Sequence, residues 1–146
     1  MGNVGVGGET GGTCSAHTGG TMPKLETRPV AVKNFRRPDE TRDFQGHGRA
    51  DIVTLAGRQV GRGTFEPGWR WSRDVKPIAR TELCETSHLG YVLSGRMRVE
   101  MADGSTQEIG AGDAVAIPPG HDAEVIGDEP CVMLDFGEVD QYAKRH

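Results

Sequence analysis

The stretch CETSHLGYVLSGRMRVEM, residues 84–101, sets a thiol and an imidazole four residues apart. Thiolate with imidazole suits Zn²⁺, and also iron or copper, better than Mg²⁺ or Ca²⁺. Side chains in a strand alternate, so Cys84, Thr86 and His88 share one face. Four residues of straight strand still cover about 13 Å, too far for one ion to be reached from both ends. Cys84 and His88 converge only if Glu85-Thr86-Ser87 bends or bulges, as strands beside sites often do.

A second group is PGWRWSRDVKP, which puts Trp69 and Trp71 on one strand face next to Arg70 and Arg73. A tryptophan over a pocket could stack on a ligand, and packing in the core or at a subunit boundary is the competing use. Arg36, Arg37 and Arg42 would attract an anion, but the interleaved Asp39, Glu40 and Asp43 read as a solvated face. No G-x-S-x-G, H-E-x-x-H or glycine-rich phosphate loop opening a helix is present, so catalysis would have to rest on a metal.

Composition narrows the classes. With 26% charged residues and a formal net charge of -4 over 146 residues, the chain lacks the basic surface that non-specific nucleic-acid binding needs. No apolar run approaches the roughly 20 residues that span a bilayer, so no membrane partner is expected. The opening MGNVGVGGETGGTCSAHTGG lacks the basic and apolar regions of a secretory signal. Cys14, Cys84 and Cys131 are therefore expected as reduced thiols in a cytoplasm, with Cys131 in the core.

The elements that must position these groups divide the chain in three. Residues 1–22 are Gly- and Thr-rich and read as a disordered tail, with Met22 as an alternative start. Residues 23–50 read as an arm in which PVAV adds an edge strand and RRPDE turns. Residues 51–146 read as all β. DIVTLAG and RMRVEM alternate, Asp103-Gly104 centres a hairpin turn, and short strands follow at intervals of roughly 8–12 residues. That spacing favours a sandwich or small barrel. A short helix at VDQYAKRH is the one helical candidate, without an apolar stripe to support it.

Tyr91-Val92-Leu93-Ser94-Gly95, then Gly112, Pro118 and Gly120 in G-x5-P-x-G spacing, resemble the two motifs of the cupin family. Gly68, ending EPG, resembles the glycine that opens the first. The resemblance implies a jelly-roll barrel (double-stranded β-helix) with a ligand or metal inside its mouth. Metal-binding cupins supply an H-x-H pair, a Glu and a third His. Here those positions fall on Glu82, Cys84, His88 and Ala123, with a histidine two residues earlier at His121. The three-His site does not transfer. His121 shares parity with position 123, so Cys84, His88 and His121 form a modified candidate set for zinc or iron, with a position left open for water or substrate. In the competing reading His88 is a polar pocket residue, Cys84 a small buried hydrophobe and His121 a loop histidine. Glu82 and Trp71 are expected to line the pocket.

Two functions fit. One is a small-molecule-binding or sensing cupin, homodimeric through an arm such as RPVAVKNF that covers edge strands. The other is a metal-dependent oxygenase or isomerase on a small organic substrate. One barrel hosts many chemistries, so fold does not choose between them.

Overall fold

Strict alternation in Arg96–Met101 puts Met97 and Val99 inward and leaves Arg98 and Glu100 outward, the inward choice that periodicity alone left open. The same two-residue period organises the other strands of the computed structural model, which describes residues 27–145. In order they are β1 (Glu40–Asp43), β2 (Gly48–Leu55), β3 (Arg58–Phe65), β4 (His88–Ser94), β5 (Arg96–Met101), β6 (Thr106–Gly110), β7 (Ala114–Ile117), β8 (His121–Val125) and β9 (Cys131–Asp135). They form a six-stranded sheet in the order β1-β2-β3-β9-β4-β7 and a three-stranded sheet in the order β6-β5-β8. All pairings are antiparallel. This is the expected all-β jelly roll. The core between the sheets holds Phe65, Val92, Met97, Val99, Cys131 and Met133.

Turn chemistry closes the barrel where the motif glycines stand. Gly95 has φ +78, a left-handed conformation that L side chains rarely adopt. A Cβ there would also meet the Pro130 carbonyl oxygen at 2.3 Å, so β4 can reverse into β5 against β9 only through glycine.

Several expectations are corrected. Contacts divide the chain into Met1–Val30 and Ala31–His146. The proposed disordered tail and alternative start, with His17 and Cys14, lie outside the described residues. Pro29–Val32 form no strand. The edge strand expected of the arm over residues 23–50 is there, but it is β1, further along than PVAV. Arg42 on β1 is buried, not solvated. Its Nη1 donates to the carbonyls of Val139 (2.7 Å) and Tyr142 (2.6 Å). Of VDQYAKRH, residues 139–143 are a run of turns, and those two arginine contacts rather than a helix hold them down.

Trp71 does not lie on a strand. It opens a one-turn helix α1 (Trp71–Asp74), followed by α2 (Lys76–Ala79), which has Pro77 in its first turn and ends at Arg80 in the left-handed conformation. Four residues each is too short for a helical period to register. Side chains tie this segment to β8. Arg70 bridges Asp122 (3.3 Å) and Glu124 (2.9 Å), and the Ser72 amide donates to Asp122 Oδ1 (3.0 Å). Asp74, buried, accepts from the Arg70 amide and pairs with Arg73 and His47.

Candidate metal centre

Cys84 and His121 sit opposite each other in an isolated antiparallel bridge, with the Cys84 amide donating to the His121 carbonyl at 2.8 Å. The chain then leaves strand geometry over Glu85–Ser87 and re-enters it at His88, the first residue of β4. That is the bend the spacing demanded. It brings Cys84 Sγ to 3.6 Å from His88 Nε2. His121 opens β8 and points inward, and one donor atom from each of Cys84, His88 and His121 lies within 4.8 Å of the others.

Both imidazoles are fixed through their second nitrogen. His121 Nδ1 donates to the Pro118 carbonyl (2.7 Å), which can only accept, so Nε2 is left as its free donor atom. His88 Nδ1 lies 2.6 Å from Asp135 Oδ2, an arrangement that turns Nε2 toward the thiol. Asp135 is oriented in turn by the Gly137 amide, at 2.8 Å from Oδ1. Tyr142 packs edge-on against the His88 ring, with centroids 5.2 Å apart.

The electrostatics favour an ionised thiol. Burial pushes the Cys84 thiol up, but hydrogen bonds and positive charge from His121 and His88 more than offset it and bring it to about 6. Burial alone would push His88 down. The Asp135 and Cys84 contacts overcome that and raise it to about 9. Cys131 lacks such partners, and burial pushes it up to about 11. It is a core residue, as expected.

The Cys84–His88 pair has the spacing of two ligands on a tetrahedral ion. Zinc–sulfur and zinc–nitrogen bonds of about 2.3 and 2.05 Å at a tetrahedral angle separate sulfur from nitrogen by about 3.6 Å. The Cys84–His88 separation matches that value. A hydrogen-bonded carboxylate or carbonyl behind each imidazole is the outer shell that metal-ligating histidines carry. Glu82 is a correction. Its side chain is 94% exposed and pairs with Lys76 on the surface, so it is not in the pocket. Trp71 does line the cavity that His88 and His121 face, together with Trp69. His121 is a strand residue rather than a loop histidine.

Asp135 and Tyr142 were missed from sequence. Asp135 had a signal, because it shares strand parity with Met133 and Cys131, the latter already assigned to the core. Tyr142 had none, since its position depends on the Arg42 contacts.

Residues 82–137 match the family model described as a cupin domain. No curated protein matches the sequence. Among solved structures, the chain resembles an oxalate decarboxylase variant from Bacillus subtilis at 18% identity and TM-score 0.54, covering 82% of this chain and 34% of that one. KdgF from Halomonas sp. is similar at 20% identity and TM-score 0.51, covering 78% of this chain and 98% of that one. A protein of unknown function from Acidithiobacillus ferrooxidans is 24% identical with TM-score 0.49, over 79% and 97% of the two chains. At the identities of the first two the likeness extends to the fold and no further. The matched segment runs from just before Cys84 to just past Asp135, through strands that carry the site, so this part of the chain is similar to a cupin domain.

Proposed function

We propose that this protein binds a small organic molecule in its barrel beside a divalent transition metal, zinc or iron, held by Cys84, His88 and His121. The observation that carries the reading is the convergence of three donor atoms within 4.8 Å from three separate backbone segments. When bound, such an ion would supply a Lewis acid beside the cavity. The chain's own residues do the rest. Asp135 and the Pro118 carbonyl orient the imidazoles, Tyr142 covers His88, and the apolar walls exclude water. A binding or sensing role is favoured over an oxygenase or isomerase, because the family's oxygenases are typically built on the His-rich site that this chain lacks.

The test is elemental analysis of the purified protein and its variants. Cys84→Ser, His88→Ala and His121→Ala should each lower metal content while folding survives, and Cys131→Ser should not. Equal occupancy in wild type and all three site variants would sink the shared site. A second reading follows from the Cys84–His88–Asp135 chain, with contacts of 3.6 and 2.6 Å in the order of a nucleophile, base and orienting carboxylate. Rapid alkylation of Cys84 that persists after saturation with zinc would favour it over the metal.

A further inference from the structure

The cavity behind His88 and His121 carries an imbalance of donors over acceptors. Trp69 and Trp71 both line it, each only 2% exposed, and neither indole Nε1–H has a hydrogen-bond partner among the described residues. Arg62 on β3 is no part of this donor group, because it stands between the inward Gly61 and Gly63 and carries its guanidinium to Asp51 (3.1 Å) on the other face of the sheet. Buried N–H groups are rarely left unpaired, because each gives up its hydrogen bond to water for nothing in return. Asp135, the carboxylate on the wall, is already engaged by His88 and the Gly137 amide. Two N–H groups in one wall ask for a ligand group that only accepts, and an ionised acceptor makes the stronger hydrogen bond.

We infer that the cavity takes a short-chain carboxylate. Its oxygens accept from Trp69 Nε1 and Trp71 Nε1, and its alkyl chain lies among Ile52, Met97, Ile117 and Met133. The cavity volume of about 50 Å³ sets the size. At about 10–15 Å³ for each water-sized group, it accommodates about three to five non-hydrogen atoms. Acetate and propionate fit that limit, and hexanoate exceeds it. The inference rests on the reading of the barrel as a small-molecule site and names the ligand class for it.

The chain has two tryptophans in all, so its ¹H–¹⁵N spectrum carries two indole resonances and both report on this cavity. The experiment titrates sodium propionate into the full chain at constant ionic strength, as purified and after chelator treatment, with metal content measured in each sample. Both indole signals should move downfield and saturate, with a dissociation constant below about 10 mM. Trp69→Phe and Trp71→Phe keep the ring and remove the donor, and each should weaken binding about tenfold or more. Hexanoate and the neutral propionamide should bind more weakly than propionate. Indole signals that stay still, or that drift equally with sodium chloride, would overturn the inference. So would phenylalanine variants that bind propionate as tightly as wild type. The outcome is separable from the metal question. Saturable indole shifts in protein shown to hold no metal keep the carboxylate and count against the ion, whereas silent indoles in metal-loaded protein do the reverse.

Discussion

Arg42→Met isolates the contact that closes the cavity. The methionine keeps most of the stem volume and removes the guanidinium. Arg42 is 7% exposed at its side chain and donates to two carbonyls, of Val139 at 2.7 Å and Tyr142 at 2.6 Å. Hydrogen bonds from a charged donor are worth about 1.5–3 kcal/mol each, which sets a ceiling of about 3–6 kcal/mol for the two. The carbonyls can regain water if residues 139–143 lift away, so the loss should sit near the lower end, about 3 kcal/mol. The ion pair with Glu40 adds little, because the Glu40 side chain is 45% exposed and screened by solvent. Urea denaturation should therefore show a loss of about 3 kcal/mol for Arg42→Met and less than about 1 kcal/mol for Glu40→Gln. Hydrogen exchange should report the same loss locally, as faster exchange at Gln141 and Tyr142. A loss under about 1 kcal/mol for Arg42→Met would refute the reasoning, as would Glu40→Gln costing as much.

Acid should destabilise the protein in part through Asp51. Burial pushes its carboxyl up, but hydrogen bonds from Thr41, Arg62 and Arg49 hold it below the ordinary 3.8. A group lowered in the folded state contributes stability in full above its unfolded value, and loses it as pH falls through the folded value. Melting temperature should thus drop from about pH 5 to about pH 3, and Asp51→Asn should flatten that limb at the cost of stability near neutrality. Parallel curves for the two proteins would exclude Asp51 as a source. Association is the other expectation. Leu89, Tyr91 and Leu93 stand in a row on the outward face of β4, and Val30 and Val32 are exposed on a segment that forms no strand within the protomer. Light scattering should give the mass of a homodimer, and Leu89→Glu with Leu93→Glu should halve it. A monomer mass for the unmodified protein at micromolar concentration would count against this arrangement.

What the sequence made legible followed from local rules. Alternation in Arg96–Met101, the Asp103-Gly104 turn and the Gly112, Pro118, Gly120 spacing each act over a few residues, and each stands in the fold as read. The convergence of Cys84 with His88 was legible as a condition, since two donors about 13 Å apart on a straight strand require a break, and the break is there. What was not legible depends on partners distant in sequence. Arg42 looked solvated because its neighbours are acidic, yet its carbonyl partners lie about a hundred residues further on. Glu82 was placed in the pocket by counting from a motif, and counting cannot see that the chain reaches the barrel only at Cys84. The unpartnered indoles are beyond any pattern, because a missing contact leaves no trace in composition.

The displaced histidine and the cavity have one physical origin. In the family's pattern the third histidine falls on the position of Ala123, two residues further along β8 than His121. Two residues of strand are about 6.8 Å, so a donor at 121 shifts the centre of any bound ion along the barrel by several ångström. Cys84 can follow that shift because its backbone is bonded to residue 121 itself, with Cys84 N–His121 O at 2.8 Å and Gly120 N–Cys84 O at 2.7 Å. Thiol and imidazole move as one unit in register. His88, at the start of β4 and held by Asp135, is the remaining donor within reach. The position left behind is also inward and buried, but alanine fills it and lines the cavity. The imidazole volume absent at 123 is then space in the cavity that Trp69 and Trp71 also line. The displacement of a histidine by one pleat therefore has two consequences: Cys84, His88 and His121 converge, and the inward position at 123 carries only an alanine in the cavity wall.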